Sequence, residues 1–268
     1  DGFEIKNYGG GATANGDGNA ISSYCMSTNK IGSNNVSILN NYIHDVAYNG
    51  ILVGSENTDA GNVSMVIQYG WLIQYNKISG YKYAGIELTN VINSSVRDND
   101  ISAVVSLFND PGDAGVGIEI AARSRAKPSA VDSVVVSGNS ITGSFPSGSR
   151  AAINLLSRAY SSTSVASFSA IDVLNNTITS AVNVRAAILA VAETRNNGVS
   201  SITDLDVLNN TLDGNNAGFV IQDYLNTSGT PSHSTITVSG NFIKNHTTNG
   251  VYVSANTLAT GMNVQNNS

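Results

Sequence analysis

Apolar and polar positions recur along this chain in two short phrases, with no helical rhythm between them. The first phrase is an apolar residue, two variable residues, Asn, one variable residue and then Ile or Leu. It runs Ile38 to Ile43, Ile73 to Ile78, Val96 to Ile101, Val136 to Ile141, Val173 to Ile178, Val207 to Leu212 and Val238 to Ile243, with a partial copy from Val264 to Asn267. The second follows each Asn after a variable gap: Gly50-Ile51-Leu52-Val53, Gly85-Ile86-Glu87-Leu88, Gly117-Ile118-Glu119-Ile120, Ala152-Ile153-Asn154-Leu155, Ala187-Ile188-Leu189-Ala190, Gly218-Phe219-Val220-Ile221 and Gly250-Val251-Tyr252-Val253. Ala20-Ile21-Ser22-Ser23 reads as the first rung of the same set. Period-two alternation predicts short strands whose first and third apolar residues point inward and whose middle residue points outward.

The spacing between phrases selects the architecture. Asn41, Asn76, Asn99, Asn139, Asn176, Asn210, Asn241 and Asn267 form one column separated by 35, 23, 40, 37, 34, 31 and 26 residues. Helical and leucine-rich repeats tolerate little variation in unit length, whereas a parallel β-helix keeps its strands short and lets its loops grow. The shortest interval, 23 residues, accommodates three short strands and three tight bends. The expected fold is therefore all-β: a right-handed, single-stranded parallel β-helix of about eight coils with an Asn ladder, forming one domain over 1–268 excised from a longer chain. An inward amide at each bend satisfies its own bend and the Asn of the next coil, so the Asn column is structural. Pro111, Pro128, Pro146 and Pro231 fall between the phrases, where a strand-and-loop reading wants them.

Composition narrows the function classes. A hydrophobic fraction of 41% fills a core and excludes a disordered chain. A net charge of -6, from 13 basic against 19 acidic residues, leaves no broad basic surface for nucleic acid. No apolar run reaches the ~18 residues of a membrane-spanning helix, so no membrane partner is expected. The single cysteine, Cys25, excludes an internal disulfide and reads as a buried thiol.

With the Asn ladder and the Gly-Ile-x-Leu rungs in place, the repeats resemble the pectin-lyase-like parallel β-helix superfamily over nearly the whole chain, and most closely its phage tailspike depolymerases. That resemblance implies an extracellular or virion-surface protein acting on a polysaccharide. It also implies that the outward side chains of the Gly-Ile-x-Leu sheet line the substrate groove. By alternation that outward column is Ser22, Leu52, Glu87, Glu119, Asn154, Leu189, Val220, Tyr252. The catalytic motifs of polygalacturonases, alginate epimerases and pectate lyases are absent, since Arg123-Ser124-Arg125-Ala126-Lys127-Pro128 lacks the pectate lyase spacing.

Two consecutive rungs of the column carry carboxylates. Like charges ~4.8 Å apart on neighbouring strands destabilise each other, so one of Glu87 and Glu119 is expected to be protonated, or a cation to lie beside them. Glycoside hydrolysis uses that situation, with a protonated acid donating to the leaving oxygen and an ionised partner attacking or activating water. Glu87 and Glu119 are the expected catalytic pair, and Asp113 is the reserve acid. The competing reading has the two as solvated surface groups neutralised by Lys82, Arg123 or Arg125. Loops on neighbouring coils supply expected sugar contacts: Tyr48, Tyr81 and Tyr83 as stacking rings, Lys82, Arg150 and Arg185 as cations, and Asp110 and Asn154 as hydrogen-bonding groups. His44 beside Asp45 is a candidate oriented base.

Endo-acting hydrolysis by a glycoside hydrolase is the leading expectation. A uronate lyase or C5-epimerase is the alternative, with Lys82, Arg150 or His44 handling the proton. A non-catalytic glycan-binding adhesin or structural solenoid is the other. No cofactor and no metal site are expected, calcium entering only with a lyase, where Glu87, Asp113 and Glu119 would hold it. Leu189, Val191 and Val220 are expected as outward apolar residues suited to the seam of a homotrimer.

Overall fold

The computed structural model describes residues 1–6, 18–25, 32–55, 67–104, 115–125, 128–225, 228–254 and 259–268, the side chains at 24, 25, 146, 147, 180, 182, 225 and 259 excepted. Among these residues the chain is an all-β parallel solenoid without helix, making about six turns instead of the eight suggested by counting Asn residues. Asp110 and Asp113 lie outside the described residues, as does the Cys25 side chain.

Each coil runs through three strand positions. The first column includes Val91–Arg97, Ser129–Ser137, Val165–Leu174, Gly198–Leu208 and Gly229–Ser239, all parallel. After the Asn corner comes a short second strand such as Tyr42–His44, Lys77–Ser79 or Asp100–Ala103. The third column holds the Gly-Ile-x-Leu rungs, including Ile51–Ser55, Ala84–Thr89, Val116–Ser124 and Phe219–Leu225. In two coils the second and third positions merge into the long strands Ser140–Ala159 and Thr177–Thr194. Pro146 and Pro231 therefore lie inside strands and not between them. Pro231 pairs in register with Ser200.

The corner between the first two columns is built by the Asn ladder. The Nδ2 of Asn76 donates to Asn99 Oδ1 at 3.0 Å, and the same bond recurs from Asn99 to Asn139, Asn139 to Asn176, Asn176 to Asn210 and Asn210 to Asn241 at 2.9–3.0 Å. Each Oδ1 also accepts the backbone N–H of the preceding Asn, and each Nδ2 reaches carbonyls of its own bend and of the coil before. The bend needs a left-handed residue just before the Asn, which Asn40, Tyr75, Asp98, Asn175 and Asn209 supply with φ of 52–58°. Asn and Asp adopt that region at low cost, and Gly138 and Gly240 take it in two coils.

The first column carries a second left-handed residue in the middle of its strands: Asn93, Ser133, Ala170, Asp204 and Thr235, φ 49–54°. It resets the alternation, so that residues three apart both face the lumen: Val131 with Val134, Phe168 with Ile171, Ile202 with Leu205, and His233 with Ile236, all shut from solvent. His233 is the polar member, and its Nδ1 lies 3.1 Å from Asp223 Oδ1 across the lumen.

Close stacking of rungs is enforced at Gly54, where φ is +127° and a Cβ would overlap the Thr89 carbonyl oxygen on the next strand. Gly54→Ala is expected to lower stability by ~2–4 kcal/mol, read as a shifted urea midpoint with unchanged m-value. Retention of the wild-type midpoint would mean that the two rungs separate without cost.

Candidate functional site

The register of the third column reproduces the outward row derived from alternation. Ser22 pairs with Leu52, Leu52 with Glu87, Glu87 with Glu119, Glu119 with Asn154, Asn154 with Leu189, Leu189 with Val220, and Val220 with Tyr252. The solvent access expected of that row is corrected. Glu87 is 3% exposed, Glu119 1% and Asn154 0%, and Leu189 and Val220 are equally shut in.

Arg123 closes the carboxylate pair. It lies two rung positions beyond Glu119 on the same face of Val116–Ser124, and its guanidinium spans both acids. Nη1 sits 2.9 Å from Glu87 Oε1 and Nη2 bonds Glu119 Oε1. The remaining acceptors are also filled. Asn49 Nδ2 donates to Glu87 Oε2 at 3.0 Å, Thr89 Oγ1 to Glu87 Oε1 at 3.2 Å, and Asn154 Nδ2 to Glu119 Oε2 at 3.0 Å. The two acids are therefore neither solvated nor neutralised by Lys82, and their partner is a buried arginine. Arg123 further donates to Tyr83 OH at 3.2 Å, and the Tyr83 ring stacks on Tyr48 with centroids 5.0 Å apart and planes 8° from parallel.

The environments push the two acids in opposite directions. Burial holds the Glu87 carboxyl above its ordinary range, with the charge of Glu119 adding to the effect and Arg123 opposing it. Glu119 is equally buried, but Arg123, Arg150, the Asn154 amide and Arg158 together outweigh that burial and hold it below the ordinary range. The opposite directions order the pair, with Glu87 taking a proton before Glu119 as pH falls, the order an acid and its ionised partner require.

A second charged cluster follows one rung position on. Arg123, Arg158 and Glu193 are in register, and Tyr224 completes the row. Arg158 Nε donates to Glu193 Oε2 and Arg195 Nη2 meets Glu193 Oε1, both at 2.7 Å. The Tyr160 ring is surrounded by Arg125, Arg195 and Arg158 at 4.7, 5.2 and 5.6 Å. All the arginines except Arg97 thus gather on or beside this face.

Between the arginines lies a groove of about 230 Å³, floored by Leu189 and Val191 and lined by Arg150, Arg185, Arg195 with its paired Glu193 carboxylate, Gln222 and the half-exposed Tyr224. Its floor belongs to a second apolar cluster outside the lumen, containing Ala121, Leu156, Leu189, Val191 and Val220. Leu189, Val191 and Val220 are buried within the chain, which corrects their expected exposure. Beside the floor, Asn154 Oδ1 and Arg158 Nη2 are buried with no hydrogen-bond partner.

Other expected contacts separate. Tyr81 is a core residue with no exposed surface, packed in the lumen cluster on the irregular turn that leads into Ala84–Thr89; this overturns its role as a sugar platform. Lys82, next along that turn, is half-buried. His44 stands on the second column, away from the acids, with Nδ1 2.8 Å from Asp45 and Nε2 3.2 Å from Glu4. The hydrogen bond that His44 donates to Asp45 leads in raising its pKa, which works against a free base. Arg158, Glu193, Arg195 and Tyr160 escaped the sequence reading, although extending the alternation past each Gly-Ile-x-Leu phrase finds the first two; Arg123 was expected only as a counter-ion to solvated acids, and it is the buried partner of both. Among the described residues no group of three or more His, Cys, Asp or Glu side chains converges as a metal site.

No family model, curated protein or solved structure matches this chain. The likeness to pectin-lyase-like proteins therefore rests on its repeats and its solenoid geometry alone.

Proposed function

We propose that the outer face of the third column holds an acidic polysaccharide, with the groove between Arg150, Arg185 and Arg195 taking its carboxylate or sulfate groups. The observation that carries this reading is the gathering of arginines over an apolar floor in a chain of net charge -6. Guanidinium groups bind planar anions in a bidentate manner, and the half-exposed Tyr224 ring offers a face to a sugar.

Binding to polyuronates and sulfated glycans, measured by titration against neutral polysaccharides, tests the reading. Arg150→Ala and Arg185→Ala are each expected to weaken acidic-glycan binding ~10-fold, with the wild-type affinity falling as salt rises. Affinity unchanged in both variants, or equal for neutral polymers, would remove the groove from the function.

A second reading, hydrolysis of the bound chain, is favoured by the opposed pKa directions of Glu87 and Glu119. Glu87 is then the general acid and Glu119 the ionised base or nucleophile, and Arg123 must swing off the pair to admit the glycosidic oxygen. Glu87→Gln is expected to abolish release of new reducing ends while leaving binding intact. Products that absorb in the ultraviolet through a new double bond would reassign the chemistry to a lyase, and binding without any product would leave a glycan-binding solenoid.

A further inference from the structure

A second groove lies where the second column turns into the third, and the acidic-glycan reading does not account for it. Its volume is about 560 Å³, in the range of small-molecule sites. The polar side chains lining it are Ser149, Asn183, Arg185, Asn215, Asn216 and Thr247: three amides, two hydroxyls and one guanidinium, with no carboxylate. Such a lining offers many neutral donors and acceptors, and its one charge rejects a cation.

Asn215 forms part of the floor and is 2% exposed. Its backbone carbonyl accepts from Thr247 N–H and lies 3.3 Å from His246 Nδ1, and its Nδ2 donates to Asp213 O at 3.2 Å. Its Oδ1 has no partner at all. A buried amide oxygen without a donor is costly, and a ligand that brings a donor recovers that cost. The rim above it is open. Thr247 Oγ1 donates to Asn216 Oδ1 at 2.6 Å, leaving the Asn216 amide N–H groups to face a ligand, and a Cβ on the exposed Gly148 would meet nothing within 4 Å.

We infer that this groove is a separate subsite for a neutral, polyhydroxylated sugar residue, one hydroxyl of which donates to Asn215 Oδ1 while its neighbours accept from Asn216 and Arg185. The site stands independently of the acidic-glycan groove and shares only Arg185 with it.

The test is a titration of the isotope-labelled protein with glucose, galactose and N-acetylglucosamine up to ~50 mM, following side-chain amide resonances. At least one sugar is expected to shift the Asn215 and Asn216 amides saturably, with a Kd of the order of millimolar. Asn215→Ala is expected to weaken that sugar ~10-fold. Because Asn215 also supports Asp213, the exposed-rim variant Thr247→Trp serves as a second probe: it fills the mouth and is expected to abolish the shift while the rest of the spectrum stays folded. Absence of a saturable shift with all three sugars overturns the subsite, as does undiminished affinity in Thr247→Trp. A response to glucuronate alone also overturns it, since the site would then read charge and not hydroxyls. Acidic polysaccharide binding measured in parallel reports on the other groove, so either site can fail without the other.

Discussion

Replacing Asn139 by Ala is expected to lower the unfolding free energy by ~3–5 kcal/mol. Its Nδ2 serves Asn176 Oδ1, Val96 O and Ser137 O, while its Oδ1 receives both the backbone N–H and the side-chain amide of Asn99. All of these groups are buried or nearly so, and removing the amide strands several of them at once. Water has no path to the corner, because Asn139 is 1% exposed. Asn267, at the end of the column and only partly buried, makes fewer such bonds, and Asn267→Ala is expected to cost less than half as much. Urea unfolding of both variants with equal m-values measures the difference; equal losses would show that the ladder is not stronger at its centre.

Arg123→Met is expected to destabilise the protein by ~3–5 kcal/mol at neutral pH, because it leaves Glu87 and Glu119 buried, in register and without their shared cation. The pH dependence distinguishes this cause from lost packing. In the native protein Glu119 lies below its ordinary value, so its contribution is present above the unfolded pKa and is lost as pH falls through the folded one. In the variant burial dominates both carboxyls and lifts them, so the folded state binds protons that the unfolded state does not. Stability of Arg123→Met should therefore rise as pH is lowered from 7 toward the unfolded carboxyl range near ~4.3. Adding Glu87→Gln should recover much of the loss at pH 7. A deficit that is constant between pH 5 and 7 would mean that Arg123 acts through its aliphatic stem and not through its charge.

The two experiments probe parts of the molecule that differ in how far the sequence disclosed them. The Asn ladder was legible because its residue type, its apolar neighbours and its left-handed predecessor all recur, and a backbone corner demands each of them. The pairing of Glu87 with Glu119 was legible for the same reason, since alternation inside a short strand depends only on the backbone. Burial of that pair was not. Whether an outward side chain meets water depends on what the next coil and the loops lay over it, and Arg123, Asn49 and Asn154 come from four, thirty-eight and thirty-five residues away. Tyr81 and Tyr83 illustrate the same limit on a smaller scale: both read as loop aromatics, but one fills the lumen and the other walls the acids.

Sequence alone determined the parallel solenoid, the strands that stack, and the side chains that share a row, because periods of two and a recurrent corner residue are local properties of the backbone. Tertiary structure alone decided that the outward row is roofed, that a single guanidinium closes both acids, and that arginines from separate coils meet over Leu189 and Val191. Loop lengths between rungs range from the 23-residue to the 40-residue interval, so the neighbours a side chain finds across coils are set by how those loops fold back. The floor at Asn215 belongs to the same class: nothing in Gly214-Asn215-Asn216 marks an unfilled acceptor until the loops of adjacent coils enclose it.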